Sequence, residues 1–247
     1  MKNHDIFKTA QIILFSLMAC VTAQAQIEIY PGPDVSAEEM VAKIAGEGIQ
    51  CSNAEFTGAE IARGIFENAG STNLGFDKGI FLTNGSGFLI PGPNNTSSAG
   101  ASNGLTGGGP WWPNSFDPSL LEFDVIPDAD TILVKYVFGS EEYNEWVNAS
   151  FTDFFGIYIS GPNPAGGSYG NEIFSLVPGT TTPVGINTVN NGHAAPGIVP
   201  TGPCTNCEYF ADNTGGMTLQ YDAFTTVLTA VIPVVPCEEY HMALFIA

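Results

Sequence analysis

From Ile49 onward the hydrophobic and polar positions alternate in short runs. The runs fall at residues 49–56, 60–66, 79–83, 120–126, 131–138, 154–160, 172–177, 184–189, 223–232 and 240–246. They are rich in Val, Ile, Phe, Tyr and Thr and are bounded by Gly, Pro, Asn and Asp, a pattern that predicts strands. One earlier stretch has a helical period. Ser36-Ala37-Glu38-Glu39 forms a capping box, Met40, Val41, Ile44 and Ala45 follow on one face, and Gly46 can stop the helix. Many short strands with one short N-terminal helix predict an all-β fold, an antiparallel β-sandwich of jelly-roll-like type. Pro127-Asp128-Ala129-Asp130 reads as the turn of a hairpin joining 120–126 to 131–138.

Two long segments break the alternation. Residues 84–115 are dominated by Gly, Asn, Ser and Pro and end near the adjacent Trp111 and Trp112. Residues 190–212 are Gly/Pro-rich and hold Cys204 and Cys207. Loops of this length are commonly functional or mobile. No internal repeat or linker is evident, so residues 26–247 read as one domain. Its last strand, 240–246, runs on to Ala247 with no closing turn, and the expectation is a domain incomplete at its C-terminus, its final strand short of a neighbour.

The first 25 residues have the features of an export signal. Lys2 and Lys8 precede an apolar run at 12–19, and Ala23-Gln24-Ala25 offers a cleavage site before Gln26. The competing reading is a lipoprotein signal, Leu17-Met18-Ala19-Cys20, with Cys20 lipidated. Either places the mature chain outside the cell or on its surface. The apolar run is too short to span a bilayer as a mature helix, and no second run of membrane length follows. The charge is one-sided: six Lys and Arg against 25 Asp and Glu give a net charge of −19. Such a chain repels nucleic acid and anionic membranes. The 44% hydrophobic content is ample for a folded core.

Cys51, Cys204, Cys207 and Cys237 remain after export, and an oxidising compartment favours disulfides. Cys204 and Cys207 could close on each other, leaving Cys51 for Cys237. Zinc held by Cys204, Cys207, Cys237 and His241, a redox-active pair, or free thiols are the alternatives. Catalytic signals are sparse. His193 and His241 are the only histidines left after export, and no nucleophile elbow, zinc-protease motif or phosphate loop occurs. The chain reads as a non-enzyme. Trp111, Trp112 and Trp146 are candidates for stacking on a sugar or a protein ligand, against the plainer role of packing loops over the sandwich. Asn148-Ala149-Ser150 matches a glycosylation sequon.

The densest chemistry lies between strands 131–138 and 154–160. There Glu141, Glu142, Glu145 and Asp153 occur with no base, beside Tyr143, Trp146 and Phe151, which can pin the loop. Crowded carboxylates repel unless they are solvated or share a cation. Calcium takes six to eight oxygens from such groups, which makes Glu141, Glu142 and Asp153 candidate ligands and Glu145 a further one. The plainer alternative is a solvated acidic connection.

Phe138-Gly139-Ser140-Glu141-Glu142-Tyr143, Asp153-Phe154-Phe155-Gly156 and Ile159-Ser160-Gly161-Pro162 resemble the choice-of-anchor L domain of secreted bacterial surface proteins. The resemblance extends to residues 49–58, 79–85, 177–180, 183–190, 221–228 and 236–241. It implies a module that precedes varied anchoring or sorting signals, with no assigned reaction, and whose last strand runs on into an acid-rich segment and a final strand. An anchor or sorting domain is therefore expected downstream of Ala247. The combined expectation is an exported, non-enzymatic sandwich used for adhesion or ligand binding, its extracellular ligand a glycan or a protein. The rivals are a carbohydrate-active enzyme or carbohydrate-binding module on a similar sandwich, and a structural spacer.

Overall fold

Ser36 caps the helix as its sequence requires: its hydroxyl accepts from the Glu39 N–H at 3.2 Å, and Glu39 accepts from the Ser36 N–H at 2.8 Å. The computed structural model describes residues 27–108, 112–149 and 153–247. Within it the helix α1 is Ala37–Ile44, and Met40 and Val41 bury its inner face. The export signal read at 1–25 and the stacking candidate Trp111 lie outside the described residues.

In chain order the first strands are β1 (Glu28–Pro31), β2 (Ile49–Thr57), β3 (Arg63–Glu67), β4 (Gly79–Leu82), β5 (Thr106–Gly108), β6 (Trp112–Phe116), β7 (Ser119–Pro127) and β8 (Thr131–Tyr136). They are followed by β9 (Gly139–Ser140), β10 (Phe155–Pro162), β11 (Ser168–Ile173), β12 (Phe210–Asp212), β13 (Ala223–Thr225), β14 (Leu228–Pro233) and β15 (Tyr240–Ile246). Every pairing is antiparallel, and with one α-helix among the described residues the fold is an all-β sandwich. One layer is a continuous sheet in the order β11-β10-β15-β7-β2. The opposing layer is in pieces: β1-β3-β4 on one side, and on the other a ribbon in which β8 and β9 pair with β14 and β13, flanked by β12. The core is formed where the layers meet, by Leu121, Phe123, Ile157, Met242 and Leu244 from the first and Ile132 and Tyr136 from the second.

Three expectations need correction. The hairpin between β7 and β8 does not form: β7 pairs with β15 and β2, while β8 pairs with β14. Both strands bury an apolar face in the same core from opposite sides, so Pro127–Asp130 carries the chain between layers rather than around a hairpin. The final strand does not lack neighbours either, because β15 lies between β10 and β7 along its length. The runs 172–177 and 184–189 are not strands beyond Ile173. Val177, Val184, Ile186 and Val189 are buried, but their backbone turns; for example, the Val189 N–H bonds the Gly185 carbonyl at 3.0 Å. A buried loop carries the same apolar signature as a strand. Conversely, β5 and β6 form a small ladder inside the segment read as loop.

Candidate functional site

The acidic segment leaves β9 in a run of turns. The Trp146 N–H bonds the Glu142 carbonyl at 3.0 Å, and the Ala149 N–H bonds the Trp146 carbonyl at 2.9 Å. Tyr143 pins the run, as its position suggested: it is buried, its hydroxyl donates to the Val189 carbonyl at 2.7 Å, and its ring meets Phe210 edge-on. Trp146 is 45% exposed and leaves part of its ring to solvent. Phe151 and the sequon serine Ser150 lie outside the described residues.

The four acids fall into two groups. In the first, Ser140 on β9 donates its hydroxyl to Asp153 Oδ2 at 2.8 Å and accepts from the Glu142 N–H at 3.0 Å. Asn84, just beyond β4, donates to Asp153 Oδ1 at 2.8 Å, and the Asp153 N–H donates to Glu142 Oε2 at 3.2 Å. In the second, Glu141 Oε2 accepts from the Ala99 N–H at 3.1 Å, whereas Glu141 Oε1 is buried and makes no close hydrogen bond, the Gln220 amide being the polar group that steadies this carboxyl most nearly after Ala99. Asp222, just before β13, stands in the same field as Glu141 and Glu145; Asn94 donates to its Oδ1 at 3.0 Å, and its Oδ2 is buried with no partner. The carboxylates do not converge on one point. Among the described residues, the one trio of Cys, His, Asp or Glu donor atoms within 4.8 Å of one another is Cys204, Cys207 and Glu208.

The environment disfavours charge on these acids. Burial, then the nearby charge of Asp222 and Glu145, pushes Glu141 up to about 8 against its hydrogen bonds. Burial and the adjacent Asp153 push Glu142 up to about 7. Asp222 is pushed up to about 6, chiefly by burial, and burial also raises Asp153 despite its donors Ser140 and Asn84. Among the described residues no basic side chain pairs with Glu141, Glu142 or Asp222. A cation arriving here would relieve repulsion and supply the partner that Glu141 Oε1 lacks.

Glu141, Glu142 and Asp153 line a cavity of about 1110 Å³ between the layers. Phe123, Ile157, Met242 and Leu244 floor it from the continuous sheet, and Ile80, Leu82, Ile132 and Val134 wall it from β4 and β8. Tyr136 also lines it; the residue is 8% exposed and its hydroxyl is buried with no partner. Asn84, Ser140, Asp222 and Tyr136 were not singled out from the sequence. Asn84 and Asp222 do fall in the resembling blocks 79–85 and 221–228, the one signal that pointed to them.

The cysteines divide. Cys204 and Cys207 are disulfide-bonded, whereas Cys51 and Cys237 are free thiols. Strand β7 separates the free pair: Cys51 on β2 is opposite Val125, while the Cys237 N–H bonds the Pro127 carbonyl from the β15 side. Two ladder spacings exceed the reach of a disulfide. The zinc alternative fails as well, since two of its thiols are oxidised and both ring nitrogens of His241 face carboxylates, Nδ1 at 2.9 Å from Asp124 and Nε2 at 3.3 Å from Glu122.

Among the described residues no helix is long and apolar enough to cross a membrane. No curated protein and no solved structure matches the chain. The family model for the choice-of-anchor L domain matches residues 28–247, taking in both layers, the cavity and the acidic segment, and the chain belongs to that family.

Proposed function

We propose that this chain is a non-enzymatic ligand-binding module, used in adhesion, whose acidic segment is stabilised by Ca²⁺. Its family is a domain of exported, surface-associated proteins and not a known enzyme family. The observation that carries the reading is the buried Glu141 Oε1, without a close hydrogen bond, among desolvated acids that line a large apolar cavity. Buried polar groups without partners are rare in folded proteins, and they mark places where something else binds. Glu142 and Asp153, adjacent in the first group, would supply carboxylate oxygens to the ion, and Glu141 would have to turn from the Ala99 N–H toward them to join, with Glu145 and Asp222 at its margin. The apolar cavity would take the ligand, and the partly exposed Trp146 lies on the same segment.

Two measurements test this. Millimolar Ca²⁺ should raise the unfolding midpoint by about 3 °C or more, and Glu142→Gln with Asp153→Asn should abolish the rise. An unchanged midpoint ends the metal reading. Arrays of glycans and peptides should show binding that weakens with Glu141→Gln and Tyr136→Phe; binding indifferent to both substitutions, or none, removes the ligand-binding role.

A further inference from the structure

The outer face of the continuous sheet carries a cluster of its own. Along β7 the side chains alternate: Leu121, Phe123 and Val125 enter the core, so Glu122 and Asp124 point away from it. On β15 Met242 and Leu244 enter the core, and His241 points outward. His241 stands opposite Asp124, and Glu122 is two residues further along β7. On β2, Glu55 stands opposite Glu122, and Asn53 donates to Asp124 Oδ2 at 2.7 Å. None of these five residues lines the cavity, so the cluster is separate from the acids at 141–153.

The imidazole sits between two carboxylates, with Nδ1 at 2.9 Å from Asp124 Oδ1 and Nε2 at 3.3 Å from Glu122 Oε1. A neutral imidazole has one N–H, so one of its nitrogens must present a lone pair to a carboxylate. The shorter contact takes the proton: Nδ1–H donates to Asp124, and the lone pair of Nε2 faces Glu122. Two acceptors at that separation repel unless a cation lies between them. At low pH a proton serves, and the ring is imidazolium. At higher pH the place suits a metal ion. Two donors bound to one tetrahedral Zn²⁺ at its usual bond lengths stand roughly 3.3 Å apart, the separation found between Nε2 and Glu122 Oε1.

The surroundings fit the same ion. An imidazole paired with carboxylates suits Zn²⁺, whereas Ca²⁺ takes oxygen donors. Asp124 has the place of the carboxylate that orients a ligating histidine through its other nitrogen. Asn53, then His241, hold that carboxyl below the usual carboxylate range, so it stays an acceptor. Glu55 and Glu122 are like charges directly opposite each other, a destabilising pair. Among the described residues no Lys or Arg pairs with either.

We propose that His241 Nε2 and a Glu122 carboxylate oxygen are ligands of a Zn²⁺ site on the outer face of the continuous sheet. Glu55 is exposed and swings in as the third ligand, and Asp124 is the positioning residue that holds the imidazole. The side chain of His241 is 44% exposed, which gives the ion direct access from solvent and leaves its remaining position to water. The bound ion ties β15 to β7 and β7 to β2. This site is independent of the Ca²⁺ reading in place, ligands and metal.

The test follows the imidazole nitrogens of the full chain by long-range ¹H–¹⁵N spectra at pH 8, after chelator treatment. Zn²⁺ should shift Nε2 of His241 to saturation and leave its Nδ1 protonated. Equal concentrations of Ca²⁺ should leave both nitrogens unmoved. Calorimetry then compares variants in a Cys51→Ser, Cys237→Ser background, because free thiols also take zinc. His241→Ala and Glu122→Gln should each weaken Zn²⁺ binding at least about tenfold, as should Asp124→Asn. Asp124→Asn should also move the proton of the metal-free ring toward Nε2, which a merely structural role would not do. His193→Ala should change nothing. Should a variant unfold, the nitrogen shifts of the unaltered chain still decide. An Nε2 unmoved by millimolar Zn²⁺, an equal response to Ca²⁺, or full affinity in Glu122→Gln overturns the proposal and leaves the cluster a proton-bridged ion pair.

Discussion

The two layers of the sandwich are built from the same residue types and solve different problems. In the continuous sheet every inner strand has two neighbours, and Leu121, Ile157 and Phe245 are fully enclosed. In the opposing layer β4 and β8 bury comparable side chains, yet each leaves an edge open and faces a cavity of about 1110 Å³. Apolar composition therefore does not measure completion. A strand can satisfy its side chains on one face while its backbone waits for a partner.

The sharpest way to break the comparison is a matched truncation. Leu121→Ala, in the enclosed layer, should cost about 4 kcal/mol and lower the midpoint by roughly 10 °C. Leu82→Ala, beside the cavity, should cost less than about 2 kcal/mol, because its side chain already lacks contacts on one side. Equal losses in denaturant melts would show that the two layers are equally packed.

A smaller effect separates the acidic end of the split layer from the rest. The folded-state values of Glu141, Glu142 and Asp222 lie above those of an unfolded chain. The folded protein therefore holds more protons than the unfolded one between about pH 4.5 and 8, and stability falls as pH rises through that window. Discounted for partial exposure, moving from pH 8 to pH 5 should raise the midpoint by about 4 °C. Glu141→Gln should remove much of this rise, and saturating Ca²⁺ should flatten it. His241, raised because its bonds to Asp124 and Glu122 together outweigh burial, acts with the same sign. The comparison is thus between Glu141→Gln and the unaltered protein, His241 being present in both. A midpoint that climbs with pH would show the acids to be solvated.

The smallest effect concerns sulfur. Alkylation of unreduced, unfolded protein followed by peptide mapping should label Cys51 and Cys237 and spare Cys204 and Cys207. Label on Cys204 would remove the bridge, and protection of Cys51 would restore the pairing that β7 obstructs.

Local signals in the sequence carried far. The capping box at Ser36 was legible because its partners are close in the chain, and the span 240–246 and the buried Tyr143 were legible because each shows in its own residue types, although the groups that hold them are distant. Layer assignment was not. Pro127–Asp130 has the residues of a tight turn, and nothing local distinguishes a turn between paired strands from one that crosses the core. The acidic segment was visible as a cluster, but its division was not, because Asn84, Ala99 and Asp222, which separate Glu141 from Asp153, come from distant parts of the chain. The open edges were illegible for the same reason: a strand's pattern records which face is buried, not how many neighbours it has.

Strand β15 has a mechanical meaning. It is laced to β7 from Tyr240 to Ile246 on one flank and to β10 from His241 to Ile246 on the other, and both neighbours run against it. A force applied at Ala247 along the strand loads the two ladders in shear, so their bonds resist together rather than unzipping one by one. Loaded along this central strand, the sandwich would resist better than one pulled through an edge strand, with the continuous sheet bearing the tension and the split layer left slack.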